Sequence, residues 1–477
     1  MSINDLEPRL VFKHFADICS IPHPSGHEKA LADHIEKFAR SKGFEYKRDE
    51  ADNVVIKVPA TPGHENAPVV VLQGHIDMVG EANASTNHDF LNDPIVPRVD
   101  GEFLKATGTT LGADNGVGVA AGLAIAEDET SVHGPIEVLC TVDEEVGLTG
   151  AMKLTPDFID GRIMLNLDGE EENAAYIGCA GGGDTRLELG VGYKDAPSGT
   201  AALRVKVTGL KGGHSGCDIH LQRGNALRVL TRCLWQAGPL EIAYLRGGNK
   251  RNAIAREAEA VVLVTDEKAF TGAVEAEFRK IKAEIGKVEP ELTVPVETVG
   301  PSDKVLDDRS RVTVLNLLQA LPHGVERWSD DIEGLVETST NLASMRLEGD
   351  TFHVELSTRS SVADALRALR DRIAGAGRLA GARVDEGEPY PGWKPNLDSE
   401  LAQVFKKVHK EVLGVEPALE AIHAGLETGV IGEKFPSMDM ISFGPSIEFP
   451  HSPDERLHIG SVDRFYTLLK AFLEKLA

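Results

Sequence analysis

Four apolar runs each lead, within a few residues, into a side chain that binds metal ions well. VVVL at 69–72 runs into His75, IEVLCTV at 136–142 into Glu144 and Glu145, IMLNL at 163–167 into Asp168, and MDMISFG at 438–444 into His451 slightly later. Runs of this length, alternating with amphipathic stretches such as the one near 27–42, are the signature of an α/β sheet. Ligand sites in open α/β sheets lie outside the carboxyl ends of the strands, so one shared site is the economical reading. A fifth candidate, Asp114, lies in GTTLGADNG, where flanking glycines permit close backbone approach and the following AGLAIAEDE at 121–129 reads as a helix.

Each of these residues also has an ordinary explanation. Asp114 could be a turn residue or helix cap, Glu144 and Glu145 could be solvated or cap a helix, Asp168 opens an acidic turn, and His451 could cap a helix. In HID, His75 and Asp77 face the same way on an extended segment, so the carboxylate can hold the ring and set its tautomer. Adjacent carboxylates leaving a strand point to different sides, so one can ligate while the other faces an attacking water. The shared position at strand ends argues against five separate coincidences.

A chain of 477 residues exceeds what one core usually supports. The α/β texture runs over 1–184, gives way over 185–395 to strands interleaved with charged helices, and returns over 396–477. An α+β domain inserted into an α/β domain is the expected organisation. No repeat of fixed period is visible.

The 75 acidic and 50 basic side chains leave a net charge of −25, which argues against a nucleic-acid partner. No export signal or long apolar span is visible, so a soluble cytoplasmic protein without a membrane partner is expected. Cys19, Cys140, Cys179, Cys217 and Cys233 never stand in CxxC spacing and read as buried thiols. Any metal is therefore held by histidine and carboxylate, which suits zinc, manganese or cobalt. His23, His27, His64, His88 and His133 lack paired ligand spacing and read as structural or surface residues. GCAGGGD at 178–184 is no dinucleotide fingerprint, and no serine stands in a GxSxG elbow.

Longer motifs run nearly end to end: CSIPHPSGHE (19–28), QGHIDMV (73–79), GTTLGADNG (108–116), DEEVGLTGA (143–151), LDGEEEN (167–173), GLKGGHSG (209–216), RNAIARE (251–257), YPGW (390–393), HAGLETG (423–429) and FPHSPDE (449–455). With them the chain resembles the zinc-dependent amidohydrolases of the aminoacylase and carboxypeptidase G group. The resemblance implies a zinc-peptidase-like catalytic domain, a mixed central sheet flanked by helices, interrupted by an inserted lid domain. It implies two divalent cations per subunit, zinc first with cobalt or manganese as alternatives. Asp114 would bridge them, His75 and Asp168 completing one site and Glu145 and His451 the other. Asp77 would orient His75 and Glu144 would be the general base, taking a proton from a metal-shared water as hydroxide attacks the amide carbonyl.

The same resemblance makes His214 of GGHSG the lid residue that stabilises the oxyanion, Arg359 of STRSS the anchor for a C-terminal carboxylate, and Asn252 a further substrate contact. Ala255 stands where such sequences usually carry proline, a departure that touches lid geometry more than chemistry. Hydrolysis of Xaa-His dipeptides is the implied activity, β-alanyl-histidine among them, with tolerance for other dipeptides and with lid closure and a homodimer. Two alternatives use the same cage: an N-acyl-amino-acid amidohydrolase, and a catalytically silent metal-binding protein.

Overall fold

Two compact units make up the chain in the computed structural model, which describes residues 3–477. One comprises the chain through Cys179 with Trp393–Ala421 and Leu426–Ala477; the other comprises Ala180–Gly392 with Ile422–Gly425. The expected fold class, a mixed sheet flanked by helices and interrupted by an α+β insert, is the one observed.

The first unit is built on an eight-stranded sheet in the order 45–48, 54–58, 136–141, 70–75, 163–166, 439–442, 174–179, 418–422. Its four middle members, Ile136–Thr141, Val70–His75, Ile163–Asn166 and Asp439–Ser442, are mutually parallel. His75 pairs with Thr141, Gln73 with Asn166, and Asn166 with Ser442, so the four carboxyl ends lie side by side. Both faces of these strands are buried, which is why they read as continuous apolar runs rather than alternating ones. Packed nearby, Phe405, Phe443, Phe465 and Phe472 stack edge-on or tilted with ring centroids 4.7–6.2 Å apart. Each such burial contributes about 1.5–3 kcal/mol.

The helix expected at 121–129 begins earlier and spans Ala113–Glu127, with every residue from Ala113 to Ala126 buried. Gly116 and Gly118 resemble breakers in the sequence, yet here they allow contact. A side chain at Gly118 would run into the Leu167 carbonyl oxygen, and one at Gly122 would meet Val138 at 3.1 Å. The energetic cost of glycine in a helix is offset by the close helix-to-strand approach it permits.

Two βαββαβ motifs form the second unit. The first runs through strand Ala201–Val207, helix Ala226–Gln236, strands Glu241–Gly247 and Ala258–Val264, helix Glu267–Ile285 and strand Val296–Thr298. It is threaded into the second, whose strand Gly181–Gly190 precedes it and whose helix Asp308–Ala320, strands Val336–Glu348 and Thr351–Ser360, helix Ala363–Leu379 and strand Arg383–Glu386 follow. Each motif has the same strand order, fourth, first, third, second, and their second strands pair through Arg246 with Arg346 and Gly247 with Met345. One continuous core, including Leu230, Ile242, Val262, Leu342, Phe352 and Ile373, lies under the joined sheet. This duplication leaves no repeat in the sequence, because alternating apolar positions specify a face without requiring particular residues.

Four cysteines are buried as expected, but Cys217 is exposed. It sits on the loop after strand Ala201–Val207, where its backbone amide donates to His214 Nδ1. Among the described residues no helix is long and apolar enough to cross a membrane.

Candidate metal centre

The parallel strand ends of the first unit converge on a cluster of two histidines and several carboxylates. Asp114 presents one oxygen to each histidine: Oδ1 lies 3.1 Å from His75 Nε2 and Oδ2 lies 3.0 Å from His451 Nε2. Asp168 Oδ1 stands 3.4 Å from His75 Nε2, and Glu145 Oε1 stands 3.0 Å from His451 Nε2. Three overlapping donor sets result, His75 with Asp114 and Asp168, Asp114 with Glu145 and His451, and His75 with Glu144 and Glu145.

Local backbone geometry aims these groups. Asp77 is buried beneath His75, its Oδ1 3.3 Å from Nδ1, and it also accepts the Glu144 amide at 3.0 Å, the Glu145 amide at 3.2 Å and the Ser25 hydroxyl at 2.8 Å. One carboxylate thus sets the histidine ring and the turn that follows the neighbouring strand. Asp143 (φ 55°) and His451 (φ 57°) adopt left-handed backbone conformations that cost a non-glycine residue about 1–3 kcal/mol, as is common where a site is held against local preference.

The cluster fits a divalent cation. Imidazole nitrogen with carboxylate oxygen is the donor set such ions favour. Asp168 Oδ1 and Glu145 Oε1 are buried without a hydrogen-bond donor, although each lies close to a histidine. The charge balance agrees: burial pushes the Asp168 carboxyl up to about 7 and Glu170 up to about 9, and burial likewise raises Glu144 and Glu145. The carboxylates of Asp114 and Glu145, each 3.0 Å from its Nε2, push His451 up to about 11, and His75 rises well above its ordinary value because Asp168, Asp114 and Asp77 outweigh its burial. Burial opposes ionisation of Asp114, but the two histidines hold its carboxyl far down. So many carboxylates in one buried place call for more positive charge than two imidazoles supply.

In the second unit, His214 Nδ1 accepts the amides of Gly216 at 3.3 Å and Cys217 at 3.0 Å, so its proton resides on Nε2. Burial and then Arg359 push its pKa down to about 4, leaving a neutral N–H donor. Arg359 is buried on strand Thr351–Ser360, where Nη1 donates to the Tyr390 hydroxyl at 3.1 Å. Asn252 is exposed, and its backbone carbonyl accepts the Ser215 amide at 2.8 Å.

Residues 71–475 match the model of peptidase family M20/M25/M40. The chain belongs to that family. The resemblance read from the motifs, and the expectation of a metal-dependent peptidase, agree with this membership. The peptidase is 41% identical over 481 residues to the cytosol non-specific dipeptidase of Escherichia coli (strain K12), with 99% of each chain covered. The crystal structure of aminoacylhistidine dipeptidase from Vibrio alginolyticus superposes with a TM-score of 0.93 at 43% identity, over 100% of this chain and 98% of that one. Aminopeptidase PepT from Bacillus cereus ATCC 10987 shares the fold alone, with a TM-score of 0.58 at 15% identity over 99% of both chains.

Three acidic residues of the peptidase near this cluster escaped the sequence reading. Glu170, in what reads as an acidic turn, has its carboxyl raised by burial and then by the negative charges of Asp114, Asp168 and Glu145. Glu427 is buried behind the strand ends and accepts Gln73 Nε2 and Thr141 Oγ1, both at 2.6 Å. Glu455 accepts the amides of Leu111, Gly112, Ala113 and Asp114 at 2.6–3.4 Å.

Proposed function

We propose that this chain is a cytoplasmic dipeptidase that uses two divalent cations, zinc by preference, to hydrolyse Xaa-His dipeptides, β-alanyl-histidine among them, with tolerance for other dipeptides. The observation that carries the reading is Asp114, whose two oxygens each face a histidine, in a chain similar over nearly its whole length to two proteins named as dipeptidases. A homodimer belongs to the same reading and rests on the family resemblance alone.

In this reading Asp114 would serve both cations, His75 and Asp168 would hold one, and Glu145 and His451 would hold the other. Two such cations supply Lewis-acid charge that polarises the amide carbonyl and acidifies water. Asp77 keeps the His75 proton on Nδ1, which leaves Nε2 as a lone-pair donor. Glu144 takes a proton from the attacking water as its oxygen bonds to the amide carbon, and returns that proton to the amine nitrogen as the C–N bond breaks. The raised pKa of Glu144 helps it keep the proton until the amine nitrogen takes it.

His214 donates Nε2–H to the carbonyl oxygen as negative charge develops there, and its tautomer and neutrality support that role. Arg359 binds the substrate's C-terminal carboxylate and Asn252 contacts the peptide. Chelator-sensitive hydrolysis across a panel of Xaa-His and other dipeptides, beside N-acetyl-histidine and with metal re-addition, tests the proposal. Cleavage of dipeptides restored best by zinc is expected; cleavage of the acylated compound alone would make the chain an amidohydrolase instead.

A further inference from the structure

Arg359 is only 8% exposed, yet among the described residues no carboxylate lies within ion-pair distance of it, and its Nε is buried without an acceptor. An arginine buried in this way is costly unless an anion completes it. Ser339, Arg359 and Gly182 are direct partners across strands Val336–Glu348, Thr351–Ser360 and Gly181–Gly190, so their side-chain positions share one face. At Gly182 there is no side chain, and the phenol of Tyr390 takes the space: an added Cβ would lie 2.5 Å from its hydroxyl. That hydroxyl accepts Nη1 of Arg359 at 3.1 Å. The guanidinium edge formed by Nε and Nη2 is thereby left for another acceptor.

On the opposite flank, His423 is 7% exposed and its Nε2 lies 2.8 Å from the Ser339 hydroxyl. The Val336 carbonyl lies near the ring, but Nδ1 makes no hydrogen bond of good geometry. Burial, and then the Arg359 charge, push the His423 pKa down to about 3, so the ring stays neutral. In the tautomer where the Ser339 hydroxyl donates to Nε2, the ring proton sits on Nδ1 and is a second donor beside the guanidinium. Gly216 closes the cluster, since any side chain there would meet the His423 carbonyl oxygen and press within 3.1 Å of Arg359 Nε.

We propose that His423, seated by Ser339, is the second donor of an anion receptor and binds the α-carboxylate of the substrate's C-terminal residue together with Arg359, with Tyr390 as the positioning residue that turns the guanidinium edge. This rests on the dipeptidase reading and adds the residues that distinguish a free dipeptide from a longer or blocked one. A neutral imidazole donor strengthens the receptor without adding charge that would repel Arg359.

The experiment compares kcat/KM for one Xaa-His dipeptide with that for the same dipeptide bearing a C-terminal carboxamide. In His423→Ala the preference for acid over amide should fall about tenfold, mainly through KM for the acid. Ser339→Ala should move it the same way by less, and His423→Asn, which restores a donor, should recover part of it. Equal losses on acid and amide, or no loss, would overturn the proposal and leave His423 a packing residue. If His423→Ala does not fold, Ser339→Ala carries the same readout by removing one hydroxyl. A wild-type protein that cleaves no dipeptide at all sinks the dipeptidase reading first, and this receptor with it.

Discussion

Glu455 accepts the backbone amide of Ala113 at 2.7 Å, and the same carboxylate gathers the three neighbouring amides from Leu111 to Asp114. These amides lie in the turn that leads into helix Ala113–Glu127, where Asp114 and Asn115 depart from helical geometry, so one buried acid satisfies that turn and fixes the residue that faces both histidines. Glu455 follows His451 by only four residues, which ties two edges of the cluster to one turn.

Glu455→Gln keeps the shape but offers one acceptor oxygen and turns an NH2 group toward backbone donors. Metal affinity should fall by about 10–100-fold, as is usual when a group that orients a ligand is changed. Competition against a chelator of known affinity measures it, and unchanged affinity would mean that Asp114 needs no such anchor.

Glu144→Gln retains the backbone amide that Asp77 holds and removes only the proton acceptor. Turnover should drop at least about a hundredfold while metal content stays at the wild-type level. Metal analysis on the same preparation separates this from loss of the site. Wild-type turnover in the variant would show that another group is the base.

Burial raises the Glu427 carboxyl to about 7, well above its ordinary range. Its contribution to stability is full below that ordinary range and is lost as pH rises through about 7, because the unfolded chain releases the proton earlier. Chelated protein should therefore lose thermal stability between pH 5 and pH 8. Glu427→Gln should remove up to about 3 kcal/mol of that loss, raising Tm at pH 8 while leaving it unchanged near pH 4. Parallel Tm profiles for the two proteins would contradict the assignment.

Gly118→Ala should destabilise the protein by about 1–3 kcal/mol, because the new methyl would meet the Leu167 carbonyl and the Asn115 amide that bonds to it. Metal affinity should weaken with it, since Asn115 and Leu167 adjoin Asp114 and Asp168. Gly272→Ala, in helix Glu267–Ile285 with open space around it, is the control and should stabilise slightly. Denaturant unfolding of both variants decides the comparison.

What the sequence determined by itself was the set of strands and the chemistry at their ends. Apolar run length, and the identity of the side chain that follows each run, are local properties, so His75, Glu144, Glu145, Asp168 and His451 could be grouped before any coordinates. The segment with Asp114 was legible as a glycine-flanked turn, although its helix started earlier than the small residues suggested. Tertiary structure alone decided which acids matter behind that row. Glu455 reaches Asp114 across 341 residues, and Glu427 reaches Gln73 across 354. No local pattern encodes such distances. The doubled βαββαβ motif and the pairing of His423 with Ser339 belong to the same class. They arise from which faces are buried against one another, and alternation of apolar residues specifies that a face is buried without naming its partner.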